Sequence, residues 1–304
     1  MAFTITTAGN TNIGGRHNRE NQDCFFVSAS QRTVGVFDGH GRDMGRAAAT
    51  LARDTVAGVA AVDTGDLVEM VGVADRAVVA LTSDTMGGRR SGTTATLMRV
   101  EDDGSCTVVH VGDSDARVFD SDEGDGFPLM EDHSATSLSE YQRIAAADVD
   151  ANFMYQPIPG SYFHKKPVFV TADDGTVTRD EHGYYYGNIH KKWAAYIYSE
   201  AGQALAVTRS VGDVEMRQYG VIATPSRLTA PLPAETTTRA IVVGSDGFWD
   251  AMPFALVRET VRSLAGRPAE AAAALMDAAL KAGRKVFGES SDNITVVVTY
   301  VVRN

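Results

Sequence analysis

Residues 33–41, TVGVFDGHG, join a short apolar segment to an aspartate that is followed by glycine and histidine. The apolar residues of 33–37 predict a strand buried on both faces, because a half-exposed strand would alternate apolar and polar side chains. Asp38 follows that predicted strand directly. Aspartate has a low strand propensity and is costly to bury without a partner, so its position predicts either a turn or a functional carboxylate.

The same junction of an apolar strand and an aspartate recurs three times. Asp113 follows TVVHVG, Asp246 follows AIVVGS and Asp292 precedes NITVVV. A turn or a helix cap explains any one of them, because Asp-Gly is a common turn dipeptide. Turns alone are what we expect at three other Asp-Gly positions, Asp103, Asp125 and Asp174. Because adjacent strand ends lie near one another, the four junctions together predict a cluster of carboxylates.

A cluster of carboxylates needs cations, because like charges at close range repel and raise their own pKa values. Oxygen ligands without cysteine and with little histidine suit Mg²⁺ or Mn²⁺. Two such ions about 3.5–4 Å apart commonly serve phosphoryl hydrolysis, because they lower the pKa of a bridging water and neutralise phosphate oxygens. Gly39 can offer its carbonyl to an ion, and His40 can protonate a leaving alkoxide. Asp246 and Asp250 lie four residues apart, on one face of a helical turn.

The rest of the chain shows pairs of predicted strands and pairs of predicted helices. The further strands are 93–100, 106–111, 115–119, 239–243 and 293–302, and the helices are 42–62, 66–82, 253–265 and 268–282. Short hairpin connections indicate antiparallel sheets. Two antiparallel sheets packed together, with helix pairs outside, satisfy both the hairpins and the continuous apolar strands. The sequence therefore predicts an α+β fold with an αββα arrangement.

The chain has 304 residues and a formal net charge of −11, from 28 Lys and Arg against 39 Asp and Glu. We expect one domain over residues 1–304, and an acidic chain argues against a nucleic-acid binder. Cys24 and Cys106 lie in apolar segments and are expected to be buried free thiols. No signal peptide and no apolar run of about 18 residues is present in the sequence, so we expect a cytoplasmic protein without membrane contact, with the nucleus as the open alternative.

Residues 151–200 differ in composition from the rest of the chain. They contain seven of the ten tyrosines and equal numbers of acidic and basic residues. We interpret this segment as an enlarged flap, inserted within the single domain. Two roles stay open for it: contact with a phosphopeptide through its lysines and aromatic rings, or packing on a sheet edge without a role in recognition.

Nine segments, in this order, resemble the metal-dependent protein serine/threonine phosphatases, the PPM or type 2C family. They are NQDCF (21–25), VFDGHG (36–41), SGTTAT (91–96), HVGDSDARV (110–118), DHSATSLSEYQRI (132–144), LAVTRSVGD (205–213), VIATP (221–225), SDGFWD (245–250) and SDNITVVV (291–298). The resemblance covers nearly the whole chain. It implies the αββα sandwich, hydrolysis of phosphoserine and phosphothreonine in proteins, phosphorylated proteins as partners, and a monomer.

The resemblance also implies two Mg²⁺ or Mn²⁺ ions per active site and a weaker third ion. The implied metal ligands are Asp23, Asp38, Gly39, Asp113, Asp246, Asp250 and Asp292. Within this set Asp38 bridges two ions, whereas Asp113 and Asp250 belong to the third. The resemblance implies His40 as the general acid and a hydroxide between two metals that attacks phosphorus in line.

Three positions depart from the family pattern. Gln22 stands where many members have glutamate, so the second ion is expected to rely on water held by Asp23. The phosphate-binding arginine is expected five residues before Asp23, where this chain has asparagine. Arg16 and Arg19 flank that position, and both stay candidates because a guanidinium matches phosphate bidentately. Asp115 replaces an arginine, with no consequence that the sequence reveals.

Two other functions remain open from the sequence. Gln22 and the long segment 151–200 would also suit a non-catalytic family member that acts as a binding or scaffold protein. The repeated HKK at 164–166 and 190–192 would suit a nucleic-acid binder, but a neutral segment makes no basic stripe. Hydrolysis of protein phosphoesters is the function that the sequence favours.

Overall fold

The computed structural model describes residues 2–15, 20–60, 65–85, 88–119, 126–156, 166–180, 188–190, 194–199, 202–233 and 236–304. The strands in these ranges are β1 (Phe3–Asn12), β2 (Asp23–Val27), β3 (Thr33–His40), β4 (Gly92–Thr93), β5 (Ala95–Val100), β6 (Cys106–Val111), β7 (Asp115–Phe119), β8 (Phe127–Pro128), β9 (Asn152–Tyr155), β10 (Phe169–Thr171), β11 (Val177–Arg179), β12 (Ala195–Tyr198), β13 (Ala204–Leu205), β14 (Val211–Gly212), β15 (Ser226–Ala230), β16 (Thr238–Gly244) and β17 (Ile294–Arg303). The α-helices are α1 (Gly45–Ala60), α2 (Leu67–Thr82), α3 (Leu138–Ala145), α4 (Asp246–Trp249), α5 (Phe254–Ser263) and α6 (Pro268–Phe287), and short 3-10 helices cover Gly88–Arg90, Val214–Tyr219 and Gly288–Ser290.

Two antiparallel sheets form the centre of the molecule. One has the strand order β1-β17-β16-β7-β8, and the other has the order β14-β4-β3-β5-β6-β15 with β2 paired to β3. Strands β1 and β17, from opposite ends of the chain, pair along their whole length, from Phe3 opposite Arg303 to Asn12 opposite Ile294. The first and last segments are therefore held in the same sheet.

Buried apolar side chains divide into layers that follow the strand alternation. On the larger sheet, Phe37 and Leu97 pack with α1 and α2, whereas Val36 and Met98 turn to the opposite face. There they meet side chains of the five-stranded sheet such as Val297. The outer face of that sheet packs against α5 and α6. These three apolar layers confirm the predicted αββα sandwich and explain why its strands are apolar on consecutive residues.

Most predicted elements are confirmed, with changes at their ends. Strands 106–111 and 115–119 have the predicted bounds, whereas the predicted strand 93–100 is divided at Thr94 into β4 and β5. Helix α5 begins at Phe254, because Pro253 takes the extended N-cap conformation, while Pro268 is the first residue of α6 as predicted. The sequence analysis did not predict β1, β2 or α3. Strand β1 lies at a sheet edge and carries many polar residues, β2 is only five residues long, and α3 is only eight residues long.

The described parts of residues 151–200 form structure of their own. Strands β13, β12 and β9 make a three-stranded sheet, and β10 and β11 make a hairpin. Phe153, Tyr155 and Ile197 of these strands pack with Ile144 of α3 and with Met216. This fourth apolar cluster joins the segment to the sandwich through α3.

Two smaller expectations concern the cysteines and the membrane. Cys24 and Cys106 are both buried and neither forms a disulfide, as predicted. None of the helices that the structure describes combines the length and the apolar character needed to cross a bilayer.

Candidate active site

The predicted aspartates meet where the two sheets face each other. Asp23 and Asp38 lie directly opposite each other on β2 and β3 of the larger sheet. Asp246 begins α4 two residues after β16 ends, and Asp292 lies two residues before β17 begins. Strands β16 and β17 both belong to the five-stranded sheet. We call these four residues the carboxylate floor. Each sheet supplies two of them, and the electrostatic influence of Asp246 and Asp292 on both Asp23 and Asp38 shows that the four groups are close.

The position predicted for Asp38 needs one correction. The sequence placed it after a strand that ended at residue 37, but β3 continues to His40. The extension follows from neighbouring strands, because Asp38 pairs with Asp23 of β2 while Gly39 and His40 pair with β4. The Asp38 carbonyl also accepts a hydrogen bond from the Thr94 amide at 2.9 Å.

Burial and mutual repulsion raise the pKa values of Asp23, Asp38 and Asp292 in the floor. Loss of solvation raises the pKa of Asp23 to about 7, an effect that a hydrogen bond from Ser245 reduces and that Asp246 increases. The pKa of Asp38 lies well above its ordinary value, first because of burial and then because of Asp23, Asp246 and Asp292. The pKa of Asp292 is raised less, to about 6, by lost solvation and by Asp246, in keeping with its greater exposure.

Two oxygens of the floor are buried without a hydrogen-bond partner. Ser245 Oγ donates to Asp23 Oδ2 at 2.7 Å, but Asp23 Oδ1 has no partner, and Asp246 Oδ1 has none either. A buried acceptor without a donor is costly, and a bound cation would satisfy it. The described side chains contain no set of three His, Cys, Asp or Glu groups already arranged as metal ligands. The floor is therefore a group of close, mutually repelling oxygen donors, whose hard-ligand chemistry fits Mg²⁺ or Mn²⁺.

Gly39 and Gln22 shape the backbone beside the floor. A Cβ on Gly39 would lie 2.4 Å from the Gly45 carbonyl oxygen, so no larger residue fits there without movement of the backbone. The Gln22 side chain donates from Nε2 to the Gly41 carbonyl at 3.0 Å, and the backbone carbonyl of Gln22 accepts from the Gly39 amide at 3.3 Å. The amide of Gln22 thus secures the turn after β3, which a glutamate, lacking a donor, would not do.

Asp113 and Asp250 lie beside the floor in an open cleft. The cleft has a volume of about 660 Å³, and its acidic lining consists of Asp113, Asp115, Asp132, Asp246, Asp250 and Asp292. Burial and the charges of Asp246, Asp132 and Asp250 raise the pKa of Asp113 well above its ordinary value. Asp250 ends the short helical turn that Asp246 begins, and its amide donates to the Asp246 carbonyl at 2.7 Å, as the four-residue spacing predicted.

His40 lies at the end of β3, with about 25% of its side chain exposed. Its Nε2 is 2.5 Å from Asp213 Oδ2. Burial lowers the pKa of His40, but the charge and hydrogen bond of Asp213 outweigh that effect and raise the pKa above its ordinary value. Asp213 belongs to the segment LAVTRSVGD, but no role was predicted for it, because its partner His40 is 173 residues away.

One side of the cleft, which we call the wall, is formed by part of the segment 151–200. Asn188 Nδ2 donates to Asp250 Oδ1 at 2.8 Å, the Ile189 amide donates to the Asp250 carbonyl at 3.1 Å, and His190 Nε2 donates to the Trp249 carbonyl at 3.1 Å. We call residues 188–190 the docked tripeptide. It joins the segment 151–200 directly to the turn that carries Asp246 and Asp250.

Asp115, the unexplained departure from the family pattern, helps to build the same wall. Its carboxylate accepts from Arg117 Nε at 2.9 Å. The Arg117 guanidinium lies over the Phe254 ring at 3.8 Å, and the His190 ring stacks on Phe254 at 4.1 Å with 9° between the planes. Both groups are too close to the ring centre to share one face, so Phe254 is held between them. Trp249 Nε1 donates to the Asp115 carbonyl at 3.0 Å.

The two candidate phosphate-binding arginines, Arg16 and Arg19, lie outside the described residues. Of the other predicted site residues, Asp113 and Asp250 line the cleft beside the floor, and Gly39 and His40 follow Asp38 on β3. Sequence reasoning missed Asp213, Ser245 and the docked tripeptide. Ser245 was visible only as the residue before Asp246, which is a common N-cap position.

The family model described as protein phosphatase 2C matches residues 9–286 of the chain. The chain belongs to the protein phosphatase 2C family. Among curated relatives, a probable protein phosphatase 2C 73 of Arabidopsis thaliana is 30% identical over 114 residues. That match covers 37% of this chain and only 29% of the length of the relative.

Solved structures of the protein phosphatase 2C family have the same fold. Serine-threonine phosphatase 2C of Toxoplasma gondii is similar with a TM-score of 0.68 and 18% identity, over 98% of this chain and 95% of that one. The catalytic domain of the serine/threonine phosphatase PstP, solved with two manganese ions, is similar with a TM-score of 0.61 and 18% identity, over 99% and 100% of the two chains. At these identities the likeness shows a shared αββα fold.

Proposed function

We propose that the protein is a metal-dependent phosphatase that hydrolyses phosphoserine and phosphothreonine in proteins. The carboxylate floor carries this proposal. It collects four aspartates from two sheets, raises the pKa values of Asp23, Asp38 and Asp292 by burial and repulsion, and leaves two carboxylate oxygens buried without donors. Such an arrangement is unfavourable for folding, and a bound divalent cation would relieve it.

The floor and the adjoining cleft together offer ligands for more than one ion. Asp38 would bridge two ions with the Gly39 carbonyl beside it, Asp246 and Asp292 would hold the first, and Asp23 would hold water on the second. Asp113 and Asp250 would hold a weaker third. Mg²⁺ or Mn²⁺ bound there supplies a water of lowered pKa and neutralises phosphate oxygens.

The residues of the chain provide the rest of the chemistry. The cleft is lined by carboxylates that would repel a phosphoryl group, so phosphate binding requires both cations and an arginine, for which Arg16 and Arg19 remain the candidates. His40 stands at the end of the strand that carries Asp38 and would protonate the serine or threonine oxygen as it leaves. Family membership supports this assignment of roles.

The docked tripeptide supports a role for the segment 151–200 in recognition of the phosphoprotein. The cleft volume of about 660 Å³ falls in the range that takes a drug-sized ligand, far more than a phosphoryl group requires. The residues around the phosphorylated serine or threonine would therefore contact the wall as well as the floor. We propose that residues 151–200 are a recognition flap within a single catalytic domain.

Hydrolysis of a phosphoserine peptide tests the proposal. We expect turnover with Mn²⁺, loss of turnover with a chelator, recovery when Mn²⁺ is restored, and loss in Asp38→Asn. Asp103→Asn is the matched control, because Asp103 accepts from the Ser105 amide in a surface turn away from the floor. Chelator-resistant turnover, or full activity of Asp38→Asn, would contradict the proposal. Mn²⁺ binding without turnover would instead favour a non-catalytic binding protein.

A further inference from the structure

Asp213 is a buried carboxylate whose hydrogen bonds converge on His40. Its residue surface is 1% exposed. Oδ2 lies 2.5 Å from His40 Nε2 and accepts a second hydrogen bond from Ser210 Oγ, also at 2.5 Å. A buried carboxylate is tolerated only when charged or polar groups compensate it, and here a histidine and a hydroxyl do so.

The backbone around Asp213 is adapted to place this carboxylate. Asp213 has φ 41° and ψ 47°, a left-handed conformation that is uncommon for residues with a side chain. Its amide donates to the Ser91 carbonyl at 3.2 Å, and its carbonyl accepts from the Met216 amide at 2.9 Å. Unfavourable backbone conformations of this kind persist where the surroundings enforce them, and they concentrate at functional sites.

Gly92 opens the space that Asp213 occupies. A Cβ on Gly92 would lie 2.3 Å from Asp213 Oδ2 and 2.7 Å from Ser210 Oγ. Gly92 also pairs with His40 across β3 and β4 and with Gly212 across β4 and β14. Three segments that are distant in sequence therefore meet with a glycine at the point where the carboxylate approaches the imidazole.

We infer that Asp213 is a positioning residue that fixes the His40 ring so that Nδ1 faces the carboxylate floor. The inference rests on the proposed phosphatase activity and deepens it. With Nε2 bound to Asp213, Nδ1 is the ring nitrogen that can serve the cleft, and no described residue makes a hydrogen bond to it. His40 follows the predicted metal ligands Asp38 and Gly39 on β3, which places the ring beside the predicted reaction centre.

The proposed step is balanced in atoms and electrons. A water oxygen forms the new bond to phosphorus, and the serine or threonine oxygen leaves with the electron pair of the broken P–O bond. His40 Nδ1 gives its proton to that oxygen and becomes a neutral imidazole, while Nε2–H remains bonded to the Asp213 carboxylate. The proton released by the attacking water restores the imidazolium through solvent. Asp213 touches neither substrate nor the reacting atoms.

The leaving group distinguishes positioning from a structural role. A serine alkoxide is strongly basic and needs a proton as it leaves, whereas p-nitrophenolate is weakly basic and leaves without one. A misdirected His40 ring should therefore slow the phosphopeptide and spare p-nitrophenyl phosphate. General damage to the floor should slow both substrates equally.

The test compares Asp213→Asn with wild type on a phosphoserine peptide and on p-nitrophenyl phosphate at saturating Mn²⁺. We expect kcat for the peptide to fall about 100-fold, the lower end of general acid effects, while kcat for p-nitrophenyl phosphate changes less than about threefold. The double variant Asp213→Asn/His40→Gln should lose no more peptide activity than the worse single variant, because the two residues act as one unit.

Asp75→Asn is the matched control. Asp75 Oδ1 accepts from the Gly212 amide at 3.0 Å and pairs with Arg217 at 2.5 Å, so it supports the same turn without contact to His40. We expect similar, small changes on both substrates. Ser210→Ala covers the case in which Asp213→Asn fails to fold. It removes one hydrogen bond to the carboxylate, and a loss of about fivefold should appear on the peptide alone.

Two results would overturn the inference while leaving the phosphatase proposal intact: equal losses on both substrates in Asp213→Asn or Ser210→Ala, or no loss on the peptide in either variant. A wild-type protein that hydrolyses neither substrate with Mn²⁺ would remove the proposed function and this inference together.

Discussion

The carboxylate floor and the wall of the cleft differ in how they are held. The carboxylate floor is attached to strands of both central sheets, and its groups are forced together by strand pairing although they repel one another. The docked tripeptide is held by side-chain contacts at one corner, above all the stacking of His190 on Phe254 and the bond from Asn188 to Asp250. The floor is thus fixed by strands of the core, whereas the described contacts of the wall include those with Phe254 and with the turn that carries Asp250.

This difference assigns separate roles to the two regions. A chemical step requires groups held to within a fraction of an ångström, which strands of a packed core provide. Recognition of a variable peptide tolerates a wall that lies outside the strands of the central sheets. We therefore expect changes at the floor to affect kcat and metal binding, and changes at the wall to affect KM for peptides.

Asp246→Asn is the largest single change that we expect at the floor. The substitution keeps the shape of the side chain and removes a charge from a group whose Oδ1 is buried without a donor. Loss of a metal ligand should lower kcat for a phosphopeptide at least about 1,000-fold. The same substitution at Asp277, exposed on α6, is the control and should leave kcat unchanged. Retention of a tenth of the activity by Asp246→Asn would place the reaction elsewhere.

Glu140→Gln tests the stability of α3, the helix against which strands of the segment 151–200 pack. Glu140 is buried on α3 and accepts hydrogen bonds from Arg209 at 2.6 Å, from Arg143 at 2.8 Å and from Thr208 at 2.8 Å. Burial would raise the pKa of Glu140, but these bonds outweigh it and lower the pKa to about 2. We expect the substitution to lower the free energy of unfolding by about 3 kcal/mol. Denaturant unfolding measures it, and a change below about 1 kcal/mol would contradict the account.

The pH dependence of stability tests the repulsion within the floor. Asp23, with its pKa raised to about 7, holds a proton in the folded state that it has lost in the unfolded state between about pH 4 and pH 7. The pKa values of Asp38 and Asp113 are also raised. The protein from which a chelator has removed the metal should therefore lose stability as pH rises, by about 1.4 kcal/mol per pH unit for each such proton.

The pH range for this measurement is set by two histidines. Burial lowers the pKa of His110 to about 4 and that of His133 to about 2, so these groups oppose the aspartates below about pH 6.5. From about pH 7.5 to 8.5 both histidines are neutral in either state, because an unfolded histidine is still half protonated at its ordinary pKa of about 6.5. Over that range the melting temperature of the chelated protein should fall, and Mn²⁺ should suppress the fall. A rising melting temperature without metal would show that the carboxylates do not repel one another.

His190→Ala is the smallest change that we expect, and it concerns the wall alone. Loss of the ring removes the stacking on Phe254 and the bond to the Trp249 carbonyl. KM for a phosphopeptide should rise about fivefold, the worth of roughly 1 kcal/mol, with kcat for p-nitrophenyl phosphate unchanged. Val170→Ala, at an exposed position on β10 of the same segment, is the control. Equal KM values for wild type and His190→Ala on several peptides would make residues 151–200 a packing element.

The floor was predictable from sequence and the wall was not, for physical reasons. An apolar strand with an aspartate at one end is a local pattern, so Asp246 and Asp292 of the floor, and Asp113 beside it, could be recognised one at a time. The continuation of β3 through Asp38 depends on strands β2 and β4, which the segment itself does not reveal. The contacts of Asp213 with His40 and of Asn188 with Asp250 join residues 173 and 62 positions apart, and they depend on side-chain directions that no local pattern encodes.

A titration with Mn²⁺, in which calorimetry measures the heat of binding, tests whether the carboxylate floor is a metal centre. We expect two ions bound per chain in wild type and in Asp103→Asn, and loss of saturable binding in Asp38→Asn, because Asp38 lies among carboxylates from both sheets. Protein from which a chelator has removed the metal should regain both ions on addition of Mn²⁺. Absence of saturable binding in wild type, or equal binding in Asp38→Asn, would show that the carboxylate floor is not a metal centre.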